Sequence, residues 1–221
     1  MNEPKTADVM CRRVVTAALD SSFKELVGMM IVHEVSAIPV VDSAGHPVGV
    51  VSEADLAAKL EFHGGGENPP VLAGTHRRVR WRKSSATVAA DLMTTPVATV
   101  TDDVSLCTAL RLLAGEHASL LCVVNGAGTL VGALTGRDAL RLFLRGDDAI
   151  RADLELRLLP ASTRARGVTV HVSGGVVTLD GTLCLHSATE RAEWIARGVP
   201  GVITVRNRLS FDVDDLMITG L

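Results

Sequence analysis

Two short stretches of the chain carry residue types suited to holding a phosphorylated sugar. Gly49-Val50-Val51-Ser52-Glu53-Ala54-Asp55 and Gly132-Ala133-Leu134-Thr135-Gly136-Arg137-Asp138 each run from an apolar segment into a hydroxyl residue that is followed three positions later by an acid. Where such a strand delivers the hydroxyl residue to the start of a helix, the unpaired first amides attract phosphate and the Ser52 or Thr135 hydroxyl adds a contact. Asp55 or Asp138, one turn along, can accept both hydroxyls of a ribose. Gly49 and Gly132 let the backbone come close to a ligand or a neighbouring strand. The same spacing is also a helix cap, since Ser-x-x-Asp and Thr-x-x-Asp satisfy a helix start locally and without a ligand. From the residues alone both readings stand.

The elements that position these stretches are duplicated. A shift of 83 residues lays Asp8, Met10, Thr16, Asp20 and Ser22 on Asp91, Met93, Thr99, Asp103 and Ser105, and Ser36, Val40, Val41, Gly45, Val48, Gly49 and Asp55 on Ser119, Val123, Val124, Gly128, Val131, Gly132 and Asp138, without a gap. Each copy reads β-α-β-β-α. In the first, an extended Val14-Val15-Thr16 precedes a helix from Phe23 to Val32 that Ser22 and Glu25 start as a capping box. A strand Ala37–Val41, a turn Asp42–Pro47, a strand Val48–Val51 and a helix Ser52–Leu60 follow. The second copy repeats this as Val97–Thr99, helix Leu106–Ala114, strands Leu120–Val124 and Leu130–Leu134, and helix Gly136–Leu144. The strands are continuous apolar runs, so they are expected to be covered on both faces. Units this small need each other's surface to be stable, and the interface between the copies is the natural place for a pocket.

Composition narrows the function classes. The chain has 221 residues, 47% of them hydrophobic, only 3% aromatic, and a net charge of -3. An aliphatic core follows, and the acidic balance argues against a dedicated nucleic-acid binder. Cys11, Cys107, Cys122 and Cys184 are scattered, without the close pairs of metal or redox sites, and read as reduced thiols. Met1 to Met10 shows no basic start followed by an apolar run, which points to the cytoplasm. The longest uncharged stretch, Ala118 to Gly136, is broken by Asn125-Gly126-Ala127-Gly128 and reads as two strands around a turn, not a membrane span. His33 and His117 fall near helix ends and read as packing or capping groups. Gly-x-Ser-x-Gly, His-Glu-x-x-His and Walker patterns are absent from the sequence, as is tyrosine, so catalysis and a catalytic cofactor are not expected.

Residues 63–85 read as a flexible basic linker. His63 to Pro70 is rich in glycine and proline, and His76-Arg77-Arg78-Val79-Arg80-Trp81-Arg82-Lys83 concentrates positive charge. That run suits either a solvated connection or contact with phosphate, nucleic acid or an acidic partner.

The repeat resembles a tandem pair of cystathionine-beta-synthase-type (CBS) domains, a Bateman module. The resemblance rests on Ala7-Asp8-Val9-Met10, Ser36-Ala37-Ile38-Pro39-Val40-Val41-Asp42 and Gly49 to Leu56, and in the second copy on Ala90-Asp91-Leu92-Met93-Thr94, Leu121-Cys122-Val123-Val124-Asn125 and Gly132 to Leu140. It implies an adenosine-containing ligand, AMP, ADP, ATP or S-adenosylmethionine, in the cleft between repeats, and pairing of two modules into a homodimer. It further implies that Asp55 and Asp138 hold ribose hydroxyls, Ser52 and Thr135 face phosphate, and Thr16 and Thr99 approach the base or ribose. Ile38-Pro39 and Leu121-Cys122 would wall the adenine. Arg137 adds a cation that the first copy lacks, which favours the Thr135 junction for a charged nucleotide. Cys122 and Asn125 depart from the proline and acid expected there.

A different pattern follows Asp148. Ile150, Leu154 and Leu158 share a helical face that ends before Pro160; Val168, Val170 and Val172 alternate into a Gly174-Gly175 turn and a second strand; a capping box at Ser187 and Glu190 starts a helix to Arg197; and Val202–Leu209 is a last strand. Trp194 is expected to anchor the core. The order α-β-β-α-β, with Gly175 to Gly181 and Gly198 to Asn207, resembles the BON domain, whose implied partners are phospholipid or protein and whose setting is osmotic stress. CBS repeats followed by BON resemble uncharacterised bacterial proteins, commonly actinobacterial.

The expected architecture is thus α+β: a first CBS repeat over residues 1–62, the linker 63–85, a second repeat over 86–146, a BON-like domain over 148–213 and a tail 214–221. The expected function is a non-catalytic regulatory module that couples an adenosine ligand to the BON-like domain. The competing class is a structural or interaction adaptor in which Ser52 and Thr135 are only caps.

Overall fold

A computed structural model describes residues 4–63, 74–115, 118–162 and 166–216. The stretch from Gly64 to Pro70 and His117, both singled out above, lie outside the described residues. In the first repeat β1 (Ala17–Ala18), α1 (Phe23–His33), β2 (Ala37–Val41), β3 (Pro47–Ser52) and α2 (Glu53–Glu61) follow in order. α3 (Thr75–Ser84) and α4 (Ala89–Leu92) lead to β4 (Thr99–Thr101), α5 (Leu106–Gly115), β5 (Leu121–Val124), β6 (Leu130–Leu134) and α6 (Gly136–Leu140). The C-terminal part contains α7 (Asp147–Ser162), β7 (Arg166–Ser173), β8 (Val176–Leu185), α8 (His186–Arg197) and β9 (Thr204–Val213). The fold is mixed α and β, with two β-α-β-β-α repeats and a small α-β-β-α-β unit.

Local chemistry accounts for most boundaries. The Ser22 hydroxyl accepts the Glu25 amide at 3.4 Å while the Glu25 carboxylate accepts the Ser22 amide at 2.7 Å, and these bonds hold the Glu25 carboxyl below its ordinary range. The leading strands start three and two residues later than their apolar runs suggest. β1 pairs in parallel with β2 through Ala17 and Val40, and β4 with β5 through Thr99 and Cys122. Val14 and Val97 instead pack with Ala37, Val50, Leu120, Cys122, Leu130 and Ala133 in a seam between the repeats. The run Thr75–Ser84, expected as part of an irregular linker, is a helix. It docks its cations on α2: Arg80 pairs with Glu61 at 2.5 Å and Arg77 lies 5.9 Å from the centre of the Phe62 ring. The helix expected from Gly136 to Leu144 tightens to a 3-10 turn after Leu140.

The repeats exchange their leading segments. Each sheet has its own three strands, in the orders β1-β2-β3 and β4-β5-β6. Residues ahead of each repeat nevertheless bond to the other one. Thr6 and Ala7 donate backbone bonds to Val104 and Asp102 at 2.9 and 3.0 Å; at the positions shifted by 83, Ala89 and Ala90 donate to Ser21 and Leu19, both at 2.9 Å. Cys11 and Ala133 exchange a pair of backbone bonds, and so do Thr94 and Val50. Ala89 and Leu92, both with no exposure, lie in the core of the first repeat beside Leu26, Ile38 and Val51. A side chain added where these segments cross would force a methionine to shift. A β-carbon on Gly49 would sit 2.4 Å from Met93 Sδ, and one on Gly132 would sit 2.4 Å from Met10 Sδ.

The chain divides into compact units at Ala139 and Leu140. In the second unit, α7 and α8 cover one face of a sheet ordered β7-β8-β9, with β8 and β9 parallel. Gly174 and Gly175 take φ of 56° and 74°, the left-handed pair that a two-residue hairpin turn requires. The Asp147 carboxylate accepts both their amides, at 2.7 and 2.9 Å, and is held below its ordinary pKa by those bonds. Three expectations are corrected here. α7 continues through Pro160 to Ser162, because proline near a helix end removes a single donor. α8 starts at His186, so Ser187 lies inside it and donates through its amide and hydroxyl to Asp215 at 2.9 and 2.5 Å in place of a capping box. Trp194 is 58% exposed, because α8 turns the small Thr189, Ala192 and Ala196 to the sheet and position 194 lies on the far side.

Gly49→Ala is expected to lower stability by about 1–3 kcal/mol through overpacking against Met93, seen as a lower urea midpoint at unchanged slope. Gly28→Ala, whose added carbon meets nothing within 4 Å, is the control and leaves stability unchanged or raised. Asp147 is depressed when folded, so its contribution is present above the ordinary carboxylate range and is lost as pH falls below about 4. The protection factors of the Gly174 and Gly175 amides, taken relative to the intrinsic exchange rate at each pH, should therefore fall on acidification in the wild type and be low already at neutral pH in Asp147→Asn.

Candidate functional site

Both strand-to-helix junctions form as the spacing predicts, and each turns its acid back on its own hydroxyl residue. At the first, the Ser52 amide and hydroxyl donate to Asp55 Oδ2 at 2.8 and 2.7 Å. At the second, the Thr135 amide and hydroxyl donate to Asp138 Oδ2 at 2.9 and 2.6 Å, and the Asp138 amide donates to Thr135 Oγ1 at 3.3 Å. The geometry serves a cap in the absence of ligand and keeps the acid aimed at the junction.

The other sequence-derived residues fall around these junctions in two classes. Thr16 and Thr99 are exposed, and Arg137 is exposed beside Asp138. Ile38, Leu121 and Cys122 have no exposure and Pro39 is buried. Ile38 and Pro39 pair with Val51 and Val50, one and two positions ahead of Ser52, while Leu121 and Cys122 pair with Leu134 and Ala133, ahead of Thr135. Thr99, Cys122 and Ala133 form one row across the second sheet. Cys122 and Pro39 occupy equivalent positions, so the departure from proline lies in the apolar seam between the repeats. Burial there pushes the Cys122 thiol up to about 12, which keeps it protonated at neutral pH.

Lys83 and Thr94 join the first junction although sequence reasoning did not place them there. Lys83 Nζ lies 2.6 Å from Asp55 Oδ1 and 2.7 Å from Thr94 Oγ1. The Lys83 side chain is 7% exposed and that of Asp55 13%. Lys83 is the last cation of the basic run, 28 residues from Asp55 in sequence, and nothing in that separation signals a contact. The only hint was the concentration of charge ahead of the second repeat. Part of that charge is consumed within the protein, by the pairs of Lys83 with Asp55 and Arg80 with Glu61. Among the described residues no group of three or more His, Cys, Asp or Glu side chains could hold a metal ion, and no helix is long and apolar enough to cross a membrane.

Cys122 should be silent to a thiol reagent at pH 8 in the folded protein while exposed Cys11 and Cys107 react, and all four thiols should react after unfolding. Mass-resolved labelling checks this order.

Comparison with known proteins agrees with this architecture. Residues 7–61 and 88–145, together more than half of the chain, match the CBS domain, and residues 146–212 match the BON domain. An uncharacterized protein of Methanopyrus kandleri is 25% identical over 142 residues, 64% of this chain and 64% of its own length. The inosine-5'-monophosphate dehydrogenase of Methanocaldococcus jannaschii is 26% identical over 137 residues, 62% of this chain and 23% of that enzyme. The match thus spans less than two thirds of the length of these relatives, both of which are archaeal. Among solved structures, Arabidopsis thaliana CBSX2 in complex with AMP is 26% identical with a TM-score of 0.50, covering 64% of this chain and 96% of that one. The CBS domain pair of protein MJ0100, in complex with 5'-methylthioadenosine and S-adenosyl-L-methionine, is 22% identical with a TM-score of 0.51, covering 64% and 97%.

Proposed function

The chain belongs to the CBS domain family, and from that premise we propose that it is a regulatory module that binds an adenosine-containing ligand between its repeats and relays occupancy to its BON domain. CBS and BON domains are regulatory, non-catalytic modules. The single observation that carries the reading is the Thr135–Asp138 junction. It combines a strand-delivered hydroxyl, a carboxylate that accepts both that hydroxyl and the Thr135 amide, and the exposed Arg137 between them in sequence. AMP in the crystal structure of CBSX2, whose match here covers most of the repeat pair, supports an adenosine-containing ligand.

In this reading Asp138 accepts the ribose hydroxyls, Thr135 and the first amides of α6 take phosphate, and Arg137 offsets its charge. Thr99, at the edge of the row leading to the junction, approaches the base or ribose, with Leu121-Cys122 as the apolar wall; Thr16, Ile38 and Pro39 are the matching set in the first repeat. Signalling then requires that the ligand bind one arrangement of the chain, or of a homodimer, more tightly than another. The BON domain would pass that preference to a protein or phospholipid partner, with the cytoplasm as the compartment.

Calorimetric titration of nucleotide-free protein with AMP, ADP, ATP and S-adenosylmethionine tests the proposal. At least one should bind saturably, and Asp138→Ala should weaken it by at least about tenfold, the loss of a charge-assisted hydrogen bond or more, with the circular dichroism spectrum unchanged. Absence of binding by all four would leave the junctions as caps and favour an adaptor.

A further inference from the structure

β9 lies at one edge of the C-terminal sheet. The strands are ordered β7-β8-β9, and β9 runs beside β8 at one constant offset, from Val176 with Thr204 to Leu185 with Val213. Natural sheets shield an edge of this length with proline, bulges or charge. β9 contains no proline, and its charges are ordered in sign. Val205 and Leu209 pack with the core on the helix side, so the even-numbered side chains share the opposite face. There Arg206 and Arg208 precede Ser210 and Asp212 follows it, all four exposed. Among the described residues Arg206, Arg208 and Asp212 take part in no ion pair; Asp180, the register partner of Arg208 on β8, is not within pairing distance of it. Asp214 continues the series just past the strand, bonded to His186 at 3.0 Å. The Leu209 amide is held by Asn207 Oδ1 of its own strand at 3.1 Å, a bond that a neighbouring strand would replace.

The series is positive at 206 and 208 and negative at 212 and 214, so it changes sign about Ser210. Laid antiparallel on a second copy with Ser210 opposite Ser210, Arg208 of each copy meets Asp212 of the other, Arg206 meets Asp214, and Leu209 meets Phe211. A slip of two residues either way halves the opposite-charge pairs, and a slip of four sets Arg208 or Asp212 against itself. Parallel pairing in register sets every charge against its own kind, which is destabilising across strands. In the favoured register even positions meet even positions, so the helices of both copies cover the same side of the joined sheet. We propose that β9 is a self-pairing edge, through which two copies of the chain join their three-stranded C-terminal sheets into one about a two-fold axis at Ser210. The main-chain ladder supplies the attraction, and the charges select the register and a second copy of this chain as the partner. Such pairing does not depend on whether an adenosine ligand binds between the repeats.

Disulfide trapping on the full chain tests this. Opposite Cα atoms of an antiparallel pair lie about 4.5–5.5 Å apart, within the span of a disulfide. The exposed thiols are first removed by Cys11→Ser and Cys107→Ser. In that background Ser210→Cys should form covalent dimers under mild oxidation, joined from position 210 to position 210 as read by peptide mass spectrometry. It should do so at least about tenfold faster than Ser173→Cys, exposed on the opposite edge strand β7, because held proximity raises the effective concentration. Asp212→Arg or Arg208→Asp should slow trapping by about tenfold, and the two together should restore it, since opposite signs then face each other again. Added salt should slow the parent and leave Ser173→Cys unchanged. Trapping of Ser210→Cys no faster than that of Ser173→Cys would overturn the proposal. So would Asp212→Arg trapping as fast as its parent, or a double reversal that stays slow with an unchanged circular dichroism spectrum.

Discussion

Met10 presses against Gly132 and Met93 against Gly49, each methionine coming from the segment ahead of one repeat and each glycine from the last strand of the other. Around these contacts run the paired backbone bonds of Cys11 with Ala133 and Thr94 with Val50. A three-stranded sheet with two helices buries too little apolar surface to stand alone. The exchange supplies what is missing, since the fully buried Ala89 and Leu92 complete the core of the repeat that precedes them. The space left by the two missing β-carbons sets how closely the copies approach, and so fixes where both junctions lie.

That constraint brings Thr94 beside the first junction and Cys11 beside Ala133 ahead of the second. Because Cys11 and Thr94 are equivalent by position, the two crossings share a backbone geometry and differ in side-chain chemistry. At one crossing Thr94 bonds a lysine that also neutralises Asp55. The hydroxyl-to-carboxylate bonds within the junctions are alike in both copies, and the Lys83 contact reaches the first from α3, outside the repeat.

The C-terminal unit is built on different terms. Its helices face the sheet with Ile150, Leu154 and Leu158 from α7 and with small residues from α8, which lets α8 lie close to the strands. Polar atoms hold the ends: Asp147 fixes the Gly174-Gly175 turn, and Asp215 takes the Ser187 amide that Glu190 was expected to take in a capping box. The parallel pairing of β8 with β9, from Val176 with Thr204 to Leu185 with Val213, ties the last strand into the sheet.

The duplication, the order of the elements, the strand-to-helix junctions and the capping of α1 were legible as one-dimensional patterns, because each depends on residues a few positions apart or on identity at a constant offset. Ser22 with Glu25, and Ser52 with Asp55, are local chemistry. Partners far apart in sequence were not legible. Val14 and Val97 look like strand residues but are drawn into the seam between repeats; Trp194 looks like a core residue but lies on the outer side of a helix whose orientation the sheet chooses; and Lys83 looks like one more surface cation. Charge in a linear run has no direction, and only the docking of α3 on α2 turned that ammonium inward, where low polarity makes its bond to Asp55 hard to surrender.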